Sequence, residues 1–180
     1  DRCGASRPSM SKAFTKDDSE SEVLVVPRPP LPPDTPNYVT ARGLSRLRAE
    51  LASLERQRSG LAAESPADRI SQLNALNQRL AELQARISSA NVVDGRAQPR
   101  AEVRFGATVT VRNEQGQDAQ YQIVGVDEAD ASRGLLAFSS PLARALLGKH
   151  VNDVVELRTP RESQELEVRA IRYGDGDHEP

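Results

Sequence analysis

From Thr40 onward, leucines fall at Leu44, Leu47, Leu51, Leu54 and Leu61, with spacings of 3, 4, 3 and 7. A 3,4 alternation draws one apolar stripe down one face of a helix, the seam of a coiled coil, with Arg58 at the position where a leucine is skipped. A second stripe, Ile70, Leu73, Leu76, Leu80, Leu83 and Ile87, has spacings of 3, 3, 4, 3 and 4. Between the stripes, Ser65 is a natural N-cap and Pro66 suits the first helical position. Asp68, at the third, accepts from the cap and favours the positive helix end. The second helix is therefore expected to start near Ser65 and the first to end near Ala63. A connection of only about two or three residues makes the two helices antiparallel. Each arm of about 23 to 25 residues spans roughly 35 Å.

After the turn-rich residues 91–99 the apolar period changes to two. Residues 103–111 and 121–126 read as strands joined across Asn113-Glu-Gln-Gly116, a favourable hairpin turn. Residues 135–139 read as a third strand. Pro141 opens a short helix, residues 142–147, that Gly148 stops. Residues 154–158 and 166–173 complete four or five strands. The chain is thus expected to be α+β in two domains, a helical hairpin over 38–94 and a sheet domain with one short helix over 95–174.

The flanks read differently. Residues 27–36 carry six prolines, a density that excludes helix and central strand. Residues 1–37 are therefore expected to be a disordered, Pro-rich arm, either a solvated leader or a ligand for a Pro-binding module. The sole methionine, Met10, sets residues 1–9 apart as a leader excluded from fold reasoning. Residues 175–180 read as an acidic tail.

Composition narrows the function. The 180 residues include six aromatics and no Trp, which favours aliphatic packing over one deep ligand pocket. A net charge of −2 argues against a protein held on nucleic acid by bulk charge. That total conceals a split: residues 38–94 carry net +2, and residues 96–180 carry net −3. All but three of the 24 basic residues are arginines, from genome bias or from the suitability of Arg for fixed pairing. Cys3 is the only cysteine, so no intrachain disulfide forms and a reducing cytoplasm is expected. No apolar run approaches the roughly 20 residues of a membrane span. His150 and His178 are the only histidines, and no metal-binding Cys/His spacing, phosphate-binding Gly loop or nucleophile elbow occurs.

Several blocks, in order, resemble the bacterial GreA/GreB transcript cleavage factors. They are Phe105-Gly-Ala-Thr-Val-Thr-Val111, Tyr121-Gln-Ile-Val-Gly-Val-Asp-Glu-Ala-Asp130, Ser139-Ser-Pro-Leu-Ala-Arg-Ala-Leu-Leu-Gly-Lys149 and Asn152-Asp-Val-Val155. The first half matches at Thr40-Ala-Arg-Gly-Leu-Ser-Arg-Leu-Arg-Ala-Glu-Leu51 and Ile87-Ser-Ser-Ala-Asn-Val-Val-Asp94. The resemblance implies an N-terminal antiparallel coiled coil and a C-terminal FKBP-like domain. It also implies a factor that docks on RNA polymerase core at the secondary channel and touches nucleic acid only indirectly. The loop Ser139, Ser140, Pro141 is the implied docking element, and Arg56, Arg58 and Arg69 are a candidate basic surface of the hairpin.

In that family two acidic residues at the hairpin tip help hold the polymerase's second catalytic Mg²⁺, and the factor has no cofactor or active site of its own. A two-metal site must stabilise both attacking and leaving oxygens, and one or two carboxylates suffice as hard ligands. Here the sequence departs. The family tip reads Gly-Asp-Leu, a short step, then Glu-Asn-Ala, and nothing between Gly60 and Leu73 reproduces it. The hairpin is also about fifteen residues shorter, roughly 10 Å of reach, too far for a shell of about 2 Å. Glu64 and Asp68 are the only acids near the tip. They are either a replacement ligand pair, or Asp68 caps a helix and Glu64 is solvated. On the second reading the protein occupies the channel without driving cleavage.

Two other classes remain open. An FKBP-like fold raises prolyl isomerase activity, against which stands the sparse aromatic supply of Phe105, Tyr121, Phe138 and Tyr173. The leucine seams would also serve a generic coiled-coil adapter or homodimer, although the tight Ser-Pro connection favours pairing within one chain and hence a monomer.

Overall fold

The structure, a computed structural model, describes residues 28–61, 65–158 and 163–174. The leader, residues 10–27 of the arm, Glu64 and the acidic tail lie outside the described residues. The fold is α+β. Strand β1 (Asn37–Val39) leads into α1 (Ala41–Ser59), then α2 (Pro66–Ser88) and β2 (Ala90–Val92). A 3-10 turn (Gly95–Ala97) is followed by β3 (Thr108–Asn113) and β4 (Asp118–Val124). Two further 3-10 turns (Val126–Glu128, Ala131–Arg133) precede β5 (Leu135–Ala137), α3 (Pro141–Leu146), β6 (Val154–Arg158) and β7 (Ser163–Arg172).

The helix pair grows from its caps. The Thr40 side chain accepts from the Gly43 amide at 2.9 Å to start α1, and Ser65 accepts from the Asp68 amide at 3.1 Å to start α2. Each capping contact of this kind contributes about 0.5–2 kcal/mol. Leu47, Leu54, Leu80 and Leu83 form the buried seam, flanked by half-buried Leu51, Leu76 and Ile87. Fully burying a leucine contributes about 1.5–3 kcal/mol, so four such residues hold the helices together. The Asn37 side chain, just before α1, donates to the Arg86 carbonyl and to Ser89 Oγ, so the start of α1 lies beside the end of α2. There β1 and β2 pair in parallel, Asn37 with Ala90 and Val39 with Val92.

The seam opens toward the far end, where two expectations are corrected. Helix α1 stops at Ser59 rather than near Ala63, so six residues, 60–65, connect it to α2. Ile70, placed by its spacing in the seam, is 61% exposed. The residue after α1 is Gly60, with no side chain to cover it.

The second part is a five-stranded sheet in the order β5-β4-β3-β7-β6, antiparallel except for the parallel β4–β5 pair. Alternation along β3 buries Val109 and Val111 against Ile123, Leu166 and Val168, and α3 closes the core with Ala143 and Leu146. The expected first strand begins five residues late, at Thr108. Residues 103–107 instead bend through Gly106 (φ +84°), a left-handed conformation that interrupts a strand. Between β4 and β5 the chain turns back at Gly134 (φ +67°), where an added Cβ would lie 2.6 Å from the Gln120 carbonyl oxygen. Only glycine fits there.

Of the Pro-rich arm, residues 28–36 are described, and Arg28 and Pro29 contact the helix pair. Arg28 is half-buried and pairs with Glu50 of α1 and with Asp127 of the sheet domain. No helix of the described residues is long and apolar enough to cross a membrane.

Candidate functional site

Three regions carry the residues singled out from the sequence: the far end of the helix pair, the loop before α3, and the junction between helices and sheet.

At the far end, Asp68 is committed to the helix. Its amide donates to Ser65 Oγ at 3.1 Å, and the Ser65 hydroxyl in turn donates to its carboxylate. This reciprocal arrangement satisfies an otherwise orphaned amide of the first turn and sets a negative charge at the positive helix end. Glu64, the other half of the expected ligand pair, lies outside the described residues. Arg56, Arg58 and Arg69 are all exposed, the first two in the last turn of α1 and the third in the first turn of α2. The far end therefore offers arginines, an exposed Ile70 and a carboxylate engaged in capping. Among the described residues no three His, Cys, Asp or Glu side chains gather as a metal site.

The loop Ser139, Ser140, Pro141 is built as the start of α3. Ser140 takes an extended backbone, its Oγ accepts from the Ala143 amide at 3.3 Å, and Pro141 holds the first helical position. Pro141 is exposed and both serines are half-buried. The loop is anchored by Phe138, whose amide donates to the Val124 carbonyl at 2.9 Å.

Phe138 leads to a feature that the sequence reading missed. Tyr38 of β1, Phe105 and Phe138 meet with ring centroids 5.7 to 6.0 Å apart, in tilted and edge-on geometry. Such contacts add about 0.5–1.5 kcal/mol per pair beyond their buried area. Half of the chain's six aromatics thus gather where helices meet sheet. They line one side of a cleft of about 440 Å³ that Val103, Arg104, Leu147 and Gly148 complete. At its rim Arg104 pairs with Glu102 at 3.0 Å. The Tyr173 hydroxyl bridges the same stretch, donating to the Glu102 carbonyl and accepting from the Arg104 amide at 2.8 Å. Burial pushes the Tyr173 phenol above its ordinary pKa, and the Arg104 amide partly opposes that.

The junction itself is held by two consecutive acids of the Val126–Glu128 turn. Glu128, 8% exposed, accepts from the Thr40 amide at 3.0 Å, the Thr40 hydroxyl and the Gly125 amide at 3.2 Å. Its carboxylate therefore caps α1 from the sheet side. Asp127, with a side chain only 2% exposed, faces Arg28 at 3.2 Å and Arg86 at 3.6 Å. The sequence signal for this was available: two acids directly after an apolar strand and a glycine, in Val124-Gly-Val-Asp-Glu128, do not belong in a core unless something pairs with them.

Comparison with known proteins bears on what these regions serve. The C-terminal profile of the GreA/GreB transcription elongation factors matches residues 98–173. Transcription elongation factor GreA of Alkalilimnicola ehrlichii is 37% identical over 153 residues, covering 75% of this chain and 96% of that protein. The chain belongs to the GreA/GreB family. GreA of Cereibacter sphaeroides (strain ATCC 17025) is 45% identical over 96 residues, which span 53% of this chain and 61% of the relative. Among solved structures, the GreA/GreB factor from Nitrosomonas europaea covers 76% of this chain and 98% of its own, at 20% identity and a TM-score of 0.39. The GreA factor homolog 1 of Thermus thermophilus covers 77% and 99%, at 22% identity and a TM-score of 0.37. TM-scores this low add nothing to the assignment, which rests on the sequence matches. Family membership makes the recurring blocks intelligible: the matched C-terminal region contains the Phe105 and Phe138 rings, both junction acids and the Ser139–Pro141 loop.

Proposed function

We propose that this protein is a bacterial transcription elongation regulator that binds RNA polymerase core and inserts its helix pair, an antiparallel coiled-coil hairpin, into the secondary channel without driving transcript cleavage. In this reading the FKBP-like sheet domain docks through Ser139, Ser140 and Pro141 at the channel rim. Arg56, Arg58 and Arg69 face the nucleic acid and acidic walls within. The protein acts in the cytoplasm, as a monomer, and is not itself an enzyme.

The observation that carries this reading is the state of Asp68. A cleavage factor must lend free carboxylate oxygens to a Mg²⁺ held by the polymerase, and hard-oxygen coordination tolerates little error in reach. The one described acid at the far end is turned back onto Ser65 and its own helix. A carboxylate held by Ser65 in this way is a poorer metal ligand than a free one. Helix length supports the same reading: α1 has 19 residues, about 28 Å at 1.5 Å per residue. So does the alignment with Alkalilimnicola GreA, which runs over 153 positions while 75% of this chain is about 135 residues, leaving the relative longer in the shared region. A tip that enters the channel but stops short blocks or modulates access of substrate and of other channel-binding factors.

The decisive experiment adds the protein to backtracked elongation complexes and follows the RNA. Little cleavage above the polymerase's own rate is expected, together with competition against a cleavage-competent factor. Robust cleavage that disappears in a Glu64→Ala, Asp68→Ala double variant would sink the binding-only reading in favour of a replacement ligand pair.

A further inference from the structure

Beside the Tyr38, Phe105 and Phe138 cluster, the junction between helices and sheet has two polar attachments of different kinds. One is Glu128 on Thr40, buried and made wholly between the two parts. The other runs through the arm. Asp127 is nearly inaccessible, yet its Oδ2 and the Arg86 Nη1 facing it have no hydrogen-bond partner, because 3.6 Å is too long for one. Arg28 supplies what Arg86 does not: its Nη1 donates to Asp127 Oδ1 at 3.2 Å, and its Nη2 reaches Glu50 on α1. Arg86, on α2, donates in turn to the carbonyl of Pro29. One short stretch of arm thus touches α1, α2 and the sheet domain at once. The guanidinium suits this position, since it is planar, always charged and able to fork between two carboxylates. Burial works against its charge, and Glu50 and Asp127 together more than offset that.

We propose that residues 28–36 act as a strap that fixes the orientation of the helix pair against the sheet domain, with Arg28 as its clasp. Removing Arg28 leaves the buried Asp127 carboxylate with only Arg86, an ion pair at 3.6 Å that makes no hydrogen bond, and a buried charge short of its hydrogen bonds is among the costlier defects a junction can carry. The junction then relaxes about its remaining attachments, Glu128 on Thr40 and the Tyr38, Phe105 and Phe138 cluster. Orientation matters because a rotation of about 10° displaces the end of a helix of about 28 Å by roughly 5 Å. The strap is made of charge pairs with half-exposed members, so it weakens with ionic strength more than the buried Glu128 contact does. A Pro-rich sequence suits a strap, because a chain already restricted near −65° in φ loses little entropy when it is laid down. The strap does not depend on what the helix pair enters.

The test uses the full chain in a Cys3→Ala background with spin labels at Ser59→Cys, at the end of α1, and Glu114→Cys, in the β3–β4 turn, both exposed positions. Double electron–electron resonance should give one narrow distance distribution for the parent, clearly broadened in Arg28→Ala and intermediate in Arg28→Lys. Hydrogen exchange supplies the internal control. The Leu44 and Val93 amides, bonded to Thr40 and Val39, should exchange about tenfold faster in Arg28→Ala, the loss of one charged hydrogen bond, while Val109 and Val111 in β3 keep their protection. An unchanged distance distribution overturns the proposal. So does equal acceleration throughout β3, which would make Arg28 a contributor to general stability rather than a clasp.

Discussion

The carboxylate of Glu128 fills the space that a side chain at position 43 would need: a Cβ on Gly43 would lie 2.1 Å from Glu128 Cδ and 2.4 Å from Oε2. Gly43 is a buried residue of the first turn of α1, so its lack of a side chain is what lets the sheet domain cap that helix. Helix propensity alone predicts that Gly43→Ala stabilises by about 1 kcal/mol. The packing reverses that sign. Displacing Glu128 from Thr40 and Gly125 strands a buried carboxylate, at a cost of about 1–3 kcal/mol. Urea unfolding should therefore show Gly43→Ala to be destabilised, by up to about 2 kcal/mol net. In a Glu128→Ala background the same substitution should become neutral or stabilising, a coupling that a double-mutant cycle reads directly. Additivity of the two would mean that Glu128 does not occupy that space.

How much of the molecule was legible in its sequence depended on whether a feature is local. The cap at Ser65 and the start of α3 at Pro141 follow from residues acting within one turn, and both stand where the sequence puts them. Leucine spacing found the seam where both helices are present to cover it, at Leu47, Leu54, Leu80 and Leu83, and failed at Ile70, whose cover depends on where the other helix stops. Period-two reading found the strands of the sheet but ran β3 too early, because periodicity does not register the left-handed turn at Gly106, where a Cβ would lie 3.3 Å from Gly95 Cα. The junction was the least legible. Tyr38, Phe105 and Phe138, or Arg28, Glu50 and Asp127, are separated by tens of residues, and no periodicity links them.

Ser65 offers a sharp test of the far end. Its hydroxyl both caps the Asp68 amide and holds the Asp68 carboxylate. Ser65→Ala should cost about 0.5–2 kcal/mol in thermal or urea unfolding, and Ser65→Gly a few tenths. The first turn of α2 should lose exchange protection while the sheet does not. A Ser65→Ala protein as stable as the parent would show that Asp68 is not tied to its helix in solution, and that would reopen its use as a ligand.

Asp118 and Arg112 form a two-pronged pair across β3 and β4, at 2.7 and 2.9 Å. The hydrogen bond from Arg112 holds the Asp118 carboxyl below its ordinary pKa of 3.8, with its charge adding to the effect. A carboxyl depressed by folding contributes stability that is present above its unfolded pKa and disappears as pH falls through the folded one. The pair lies at the surface, so the signature is a titration rather than a large change in stability. Carbon-detected NMR should find the Asp118 midpoint below the usual carboxylate value, and Arg112→Leu should raise it toward that value. A midpoint that ignores the substitution would mean the pair does not persist in water.

Docking through the Ser139–Pro141 loop can be separated from folding. Ser140 caps α3, so Ser140→Ala is expected to lose about 0.5–2 kcal/mol of stability whatever else it does, and weakened binding by that variant alone would be ambiguous. Pro141 is different. It is exposed at the first helical position, where alanine is equally compatible with the helix and no backbone N–H is required. Pro141→Ala should therefore unfold within about 0.5 kcal/mol of the parent, as surface substitutions do. If the loop meets RNA polymerase core, the same variant should bind about fivefold or more weakly, the loss of about 1 kcal/mol at an interface contact. Co-sedimentation with core enzyme reads the binding and urea unfolding the stability. Parent-like binding by Pro141→Ala, with Ser139→Ala equally silent, would remove this loop from the docking surface and direct attention to the neighbouring aromatic cleft. A Phe138→Ala exchange there would then have to carry the loss.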